Sequence, residues 1–102
     1  MDLNLRIGMK AEKTEQVTEA RTAVQFGSGT VAVYATPAMA CLIEGACLEA
    51  VAAALPQGMT TVGTDLSIKH LAATPVGMKV RAQAELTAID GKKLTFAVAA
   101  FD

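Results

Sequence analysis

The feature that most constrains this chain is a long apolar stretch, TPAMACLIEGACLEAVAAAL, at residues 36–55. Thr36 is typical of a helix N-cap and Pro37 of a first helical position, while Pro56-Gln57-Gly58 marks a stop. No polar face appears when successive residues are placed about 100° apart, so we predict a helix that is buried nearly all round. Two glutamates interrupt the stretch, which favours a buried helix over a membrane span.

Glu44 is the residue in this stretch that needs an explanation. On the helical wheel it lies among apolar neighbours, between Val51 and Leu55. A buried carboxylate without a partner costs several kcal/mol or takes up a proton. Glu44 is therefore either a functional group or an edge residue paired with a surface lysine. Glu49, five positions later, is interpreted as an ordinary surface charge.

The apolar period changes from 3.6 to 2 after the helix. Even positions over 78–88 are all apolar and odd positions all polar, which predicts an antiparallel strand with one buried face. Asp90-Gly91 predicts a tight hairpin, followed by a strand over 94–101. A similar alternation predicts a strand over 62–70.

The segments before the helix are less regular. We expect a first strand around 14–18 and a flexible turn at 27–29. The stretch TVAVY at 30–34 suits either a short strand or the approach to the helix. These elements together predict an α+β fold, in which one long central helix lies against one curved antiparallel sheet.

Composition narrows the classes of protein and partner. The chain has 102 residues, 52% of them hydrophobic and 19% charged, with a net charge of −1. This predicts a single globular domain over 1–102 and gives no reason to expect nucleic acid or a membrane as a partner. No secretory leader is visible, so a cytoplasmic location is expected. Cys41 and Cys47 are too far apart along a helix for a disulfide, so we expect reduced, packed thiols.

His70 is the only histidine in the chain. Its parity matches that of Leu66 and Ile68, so we expect it to face the helix, either as a satisfied core residue or within reach of Glu44. A His and a Glu beside Thr36 at a helix N-terminus form a plausible acyl-transfer set. A single His excludes a His-rich metal site, and CxxC, HExxH, GxSxG and P-loop motifs are missing, so neither metal nor cofactor is expected.

Two segments, ATPAMACLIEGACLEA and TVGTDLSIKHLAATPVGMKVRAQAEL, resemble the hotdog-fold thioesterases, in particular the fluoroacetyl-CoA thioesterase branch. The resemblance implies a hotdog fold, with dimers joined edge to edge into a continuous sheet or assembled as dimers of dimers. It also implies hydrolysis of an acyl-CoA, with CoA belonging to the substrate. Thr36, Glu44 and His70 would be the catalytic set, with Glu44 attacking the thioester or activating water, and Gly63 would line the substrate site.

Two departures from that branch affect the expectation. The segment QFGSGTVAVY has a single phenylalanine, Phe26, where the branch has phenylalanine-bearing lid elements. Selectivity for fluoroacetyl is therefore not expected, and either a generic or a different short acyl group is. Family members also continue beyond the position of Asp102 into another strand, so the domain is expected either to lack that strand or to be part of a longer protein.

Two other functions remain open from the sequence. One is a non-catalytic module that binds an acyl group or CoA. The other is an enoyl-CoA hydratase-like hotdog enzyme, which the spacing of Asp65 and His70 superficially suits. Strand parity would place those two side chains on opposite faces of a strand, which disfavours the hydratase.

Overall fold

A computed structural model describes residues 5–102 of the chain. Two short helical turns and one long helix lie between the first strand and a C-terminal hairpin. In chain order the elements are β1 (Lys10–Gln16), a 3₁₀ turn (Glu19–Arg21), α1 (Ala23–Phe26), α2 (Thr36–Ala52), β2 (Lys79–Asp90) and β3 (Lys93–Phe101). No helix within 5–102 has the length and apolar content needed to cross a membrane.

The three strands form one antiparallel sheet in the order β1-β2-β3. Ala84 in the middle strand pairs with Ala11 on one side and with Val98 on the other. The predicted hairpin is confirmed, because Asp90 pairs with Lys93 across a turn whose Gly91 has a φ of 59°. Such a φ is accessible to glycine at no steric cost.

The predicted alternation holds along most of β2 and then breaks. Val80, Ala82, Ala84 and Leu86 are buried while the residues between them are exposed. A register shift between Leu86 and Ala88 interrupts the ladder. Because a bulge moves the following residues out of phase, Ala88 is exposed, contrary to its predicted parity.

Helix α2 packs against the inner face of this sheet. It contributes Ala38, Met39, Leu42, Ile43 and Ala46 to the core. Within this single chain the three-stranded sheet covers one side of the helix and leaves other residues exposed, including Cys41, Glu44 and Glu49. Burial of α2 nearly all round would need a further covering surface. The small core side chains of β2 let the helix approach the sheet closely.

The limits of α2 also differ from the prediction. Its N-cap is Ala35, so Thr36 is the first helical residue and its hydroxyl makes no capping hydrogen bond. The helix ends at Ala52, before the expected stop at Leu55, although Gly58 does adopt a positive φ of 87°. The N-cap assignment of Thr36 is therefore wrong, and its hydroxyl bonds elsewhere.

The strand predicted over 62–70 is not formed. None of the strands within 5–102 pairs with this segment, and a strand exists only through its ladder partners. Val62, expected on the buried face, is 81% exposed. Ile68 is half-buried and packs against the core, so the segment touches the helix layer without joining the sheet.

Helix α1 and the 3₁₀ turn before it were not predicted. Thr22 caps α1 by accepting a hydrogen bond from the Gln25 N–H, and Gly27 ends it with a φ of 71°. This Thr-to-Gly spacing is a recognisable helix signature. In the 30–34 stretch, Val33 and Tyr34 form isolated bridges with Pro75 and Thr22, which is closer to the short-strand alternative.

Candidate active site

Thr36 and His70 meet at the N-terminus of α2. The Thr36 Oγ1 lies 2.7 Å from the His70 Nδ1. The hydroxyl donates when the imidazole carries its proton on Nε2, and the ring N–H donates when the proton is on Nδ1. Both side chains are exposed, so His70 faces the helix start as expected but also reaches solvent.

Backbone hydrogen bonds hold the two segments that carry these side chains. The Tyr34 N–H donates to the Thr74 carbonyl at 2.8 Å, and Val33 bridges Pro75. Residues 33–36 therefore run beside residues 70–75, which places Thr36 opposite His70. The contact joins residues 34 positions apart in the chain.

An open cavity of about 390 Å³ adjoins this pair. Thr36, His70 and Ser28 supply polar side chains to it, and Ala72 and Leu71 are among its apolar neighbours. It is a wide surface depression and not an enclosed pocket. A larger groove of about 550 Å³ lies on the sheet at strands β1 to β3, but none of the four predicted site residues lines it.

Glu44 and Gly63 form a second pair. A Cβ added at Gly63 would lie 3.1 Å from both Cδ and Oε2 of Glu44, so the glycine backbone lies directly against the carboxylate. Glu44 is eight residues beyond Thr36 on the same helix, or about 12 Å along its axis. The structure thus pairs Thr36 with His70 and Glu44 with Gly63, and the two pairs lie at different levels along α2 instead of forming one cluster.

The charge of Glu44 affects a neighbouring thiol. Cys47, three residues further along α2, is half-buried. Burial, and then the nearby Glu44 carboxylate, raise the pKa of the Cys47 thiol above its usual value. Cys41 is exposed, so the expectation that both thiols are packed is wrong for Cys41.

A polar cluster that the sequence did not predict lies beside the Thr36–His70 pair. The buried Tyr34 hydroxyl donates to Glu15 Oε2 at 2.6 Å, and Arg21 Nε lies 3.0 Å from Glu15 Oε1. Burial and the Glu15 carboxylate raise the pKa of Tyr34. The one available signal was that Tyr34 is the only tyrosine of the chain and immediately precedes the helix start.

Among residues 5–102, no three His, Cys, Asp or Glu side chains are grouped so that they could hold a metal ion. What the site does offer is a hydroxyl hydrogen-bonded to an imidazole, a solvent-accessible carboxylate and a cavity beside the helix N-terminus. Such groups suit proton transfer and attack at a carbonyl carbon. Asp65, which a hydratase would use with His70, is exposed.

Comparison with known proteins identifies similar enzymes. The family model of the fluoroacetyl-CoA-specific thioesterases matches residues 17–102. A fluoroacetyl-CoA thioesterase of Streptantibioticus cattleyicolor is 41% identical over 70 residues, which are 69% of this chain and 50% of that enzyme. The chain thus matches only about half the length of this curated relative.

Solved structures agree in fold. A variant of a fluoroacetyl-CoA-specific thioesterase in complex with fluoroacetate and CoA is 32% identical, with a TM-score of 0.88 over 96% of this chain and 83% of that chain. A hot-dog-like protein from Thermanaerovibrio acidaminovorans, at 21% identity, has a TM-score of 0.85 over 98% of this chain and 76% of that chain, a likeness of fold alone. The predicted α+β hotdog fold is confirmed.

Proposed function

This chain belongs to the fluoroacetyl-CoA-specific thioesterase family, and we propose that it hydrolyses the thioester of a short or small acyl-CoA to a free acid and CoA. The observation that carries the proposal is the 2.7 Å contact between Thr36 and His70 beside an open cavity. A hydroxyl that is hydrogen-bonded to the only imidazole of the chain is suited to proton transfer.

Glu44 supplies the carboxylate in the proposed reaction. It either removes a proton from a water molecule that adds to the thioester carbonyl carbon, or attacks that carbon itself to form an anhydride that water then cleaves. In both routes the C–S bond breaks and the acyl group leaves as a carboxylic acid. The exposed position of Glu44 against the glycine backbone at Gly63 supports this role, because both water and substrate have access to it.

His70 and Thr36 act on the leaving group and the carbonyl oxygen. The imidazole gives a proton to the departing CoA thiolate, and the Thr36 hydroxyl orients the ring or the substrate carbonyl. Thr36 is the first residue of α2, where helix N–H groups have no intrahelical partner and the helix dipole favours negative charge. That end of the helix suits the oxyanion that develops on the carbonyl oxygen. The chemistry needs no group beyond these residues, water and the substrate.

The acyl group is proposed to be small. The segment before α2 carries one phenylalanine, Phe26, which is 40% exposed. A single exposed ring gives less aromatic contact to an acyl group than several enclosing rings would. We therefore expect acetyl and propionyl groups to be accepted as well as fluoroacetyl.

The protein is also proposed to act as a homodimer, or as a dimer of dimers, in the cytoplasm. The segment 62–70 lacks a strand partner within the described part of the chain, and it exposes Val62 and Leu66. Exposed apolar residues beside unpaired backbone are typical of an edge that pairs with another chain. A second copy paired along 62–70 would satisfy this backbone and cover Val62 and Leu66.

A thioester panel tests the proposal. Acetyl-, propionyl-, fluoroacetyl- and aromatic acyl-CoAs are incubated with the protein, and free thiol is measured against a no-enzyme blank. Release of CoA from at least one small acyl thioester supports the thioesterase. Binding of acyl-CoA without release would indicate the non-catalytic module, and loss of the enone absorbance of an enoyl-CoA would indicate the hydratase.

A further inference from the structure

Glu15 is an inward-facing charge on β1 whose carboxylate has two different partners. It pairs with the buried Val80 in the ladder, so it lies on the side of the sheet that faces the helix. A carboxylate on that side is costly unless its oxygens are bonded. One oxygen accepts the Tyr34 hydroxyl at 2.6 Å and the other lies 3.0 Å from Arg21 Nε.

Tyr34 is held at both its side chain and its backbone. Its side chain is 1% exposed and ends on Glu15, while its N–H donates to the Thr74 carbonyl at 2.8 Å. The next residue, Ala35, donates its N–H to the Arg21 carbonyl at 2.9 Å. The two residues before Thr36 are therefore fixed to β1, to the 3₁₀ turn and to the segment that follows His70.

Thr36 comes directly after this anchor, and His70 is four residues before Thr74. The Thr36–His70 contact itself is exposed, and an exposed hydrogen bond between two side chains is weak against competition from water. Its geometry therefore depends on how firmly the two backbones are held. Tyr34 is also among the residues around the cavity that adjoins Thr36 and His70.

We propose that Tyr34 and Glu15 are positioning residues, whose hydrogen bond holds the Thr36 hydroxyl at the His70 imidazole. Arg21 completes the anchor by neutralising Glu15 and by binding Ala35 through its carbonyl. The effect on turnover rests on the proposed thioesterase function, whereas the effect on the Thr36–His70 contact does not.

The single histidine permits a test that does not need activity. In the ¹⁵N-labelled protein, long-range ¹H–¹⁵N spectra report only one imidazole, that of His70. Thr36→Val removes the hydroxyl, so its spectrum gives the chemical shift of the His70 Nδ1 without the hydrogen bond to Thr36. Tyr34→Phe and Glu15→Leu, which remove the donor and the acceptor of this hydrogen bond, are expected to move the Nδ1 resonance in the same direction by a smaller amount. In the Thr36→Val background, Tyr34→Phe is expected to cause no further shift.

A matched control separates positioning from general loosening. Val51→Ala removes a fully buried side chain near the other end of α2, so it destabilises the fold without touching the anchor and should leave the His70 resonances unchanged. The proposal is overturned if Tyr34→Phe and Glu15→Leu leave Nδ1 at its wild-type shift, or if the shift from Tyr34→Phe persists without the Thr36 hydroxyl. Should Tyr34→Phe fail to fold, Glu15→Leu, which keeps the ring and removes its acceptor, decides the question.

Kinetics provide the second measurement. Misplacing a reacting group slows the chemical step more than it weakens binding. Tyr34→Phe is therefore expected to lower kcat about tenfold with KM changed less than about twofold. An equal loss in the Val51→Ala control would contradict a positioning role. A wild-type protein without turnover would refute the thioesterase proposal and leave the spectroscopic result to decide the positioning of Thr36.

Discussion

The backbone of Gly63 lies against the carboxylate of Glu44. A Cβ at this position would be 3.1 Å from Cδ and Oε2, and 3.3 Å from Oε1. These distances are shorter than ordinary van der Waals contact. Because Glu44 is exposed, its side chain is able to swing away at little cost in stability, but it would then leave the position that the proposed reaction requires.

Gly63→Ala is accordingly expected to lower kcat/KM about tenfold or more while changing the free energy of unfolding by less than about 0.5 kcal/mol. The measurements are thioester hydrolysis and urea unfolding on the same preparation. Gly45→Ala is the control. A Cβ there meets only the flexible end of Lys13, at 3.2 Å from Nζ, and alanine stabilises a helix interior by about 0.5–1 kcal/mol relative to glycine. Unchanged kinetics in Gly63→Ala would mean that this close contact has no catalytic role.

The most direct comparison on α2 is between its two glutamates. Glu44→Gln removes the proposed base or nucleophile with almost no change in shape, so we expect kcat to fall at least about a hundredfold. Glu49→Gln makes the same chemical change on an exposed residue of the same helix and should leave kcat within about twofold. The measurement is the rate of free-thiol release from an acyl-CoA by both variants. If kcat falls by less than a few-fold in Glu44→Gln, Glu44 is a structural residue.

Features that depend on residues close together in the chain could be predicted from the sequence, and features that depend on distant partners could not. The alternation of β2 and the hairpin at Asp90-Gly91 were predicted correctly because they depend on neighbouring residues. The exposure of Glu44 was left open, because a helical wheel shows where a polar face is missing but not how many strands cover the helix. The strand over 62–70 needs a ladder partner that its own sequence does not supply.

The site shows the same division. Thr36, Glu44, Gly63 and His70 were selected from the sequence, and their grouping into two pairs required coordinates. Thr36 was assigned as an N-cap from its local context. Its hydroxyl is instead hydrogen-bonded to His70, which is 34 positions away in the chain. Glu15 was missed because nothing in its own strand distinguishes an inward, twice-bonded carboxylate from an exposed one.

The oligomeric state provides a prediction that is independent of catalysis. In a two-fold dimer paired along 62–70, each substitution is present twice in the interface, so Leu66→Lys introduces two charges there. We expect light scattering after size exclusion to show a dimer for the wild-type protein and a monomer for Leu66→Lys. Val31→Lys is the control, because Val31 is an exposed apolar residue outside 62–70, at 62% exposure. This variant should remain dimeric. A wild-type protein that is monomeric at every concentration would contradict the dimer.

Stability at alkaline pH should depend on Tyr34. Its pKa is raised above the ordinary 10.0, mainly by burial and then by Glu15. The folded state therefore keeps the phenol proton when the unfolded state has lost it, so the contribution is complete below pH 10 and is lost as the pH rises further. Above about pH 10, the free energy of unfolding should fall more steeply in the wild-type protein than in Tyr34→Phe. Parallel curves would show that the phenol titrates normally.

Cys47 offers a probe of the charge on Glu44 in the absence of substrate. Burial first and the Glu44 carboxylate second raise the pKa of its thiol, so little thiolate is present near neutral pH. In a Cys41→Ser background, which leaves Cys47 as the only thiol, Glu44→Gln should lower the pKa of Cys47 and speed its alkylation by iodoacetamide about twofold. Glu49→Gln in the same background should leave the rate unchanged. Equal rates in all three proteins would mean that the Glu44 carboxylate does not act on the thiol, and hence that its charge is directed away from Cys47 in solution.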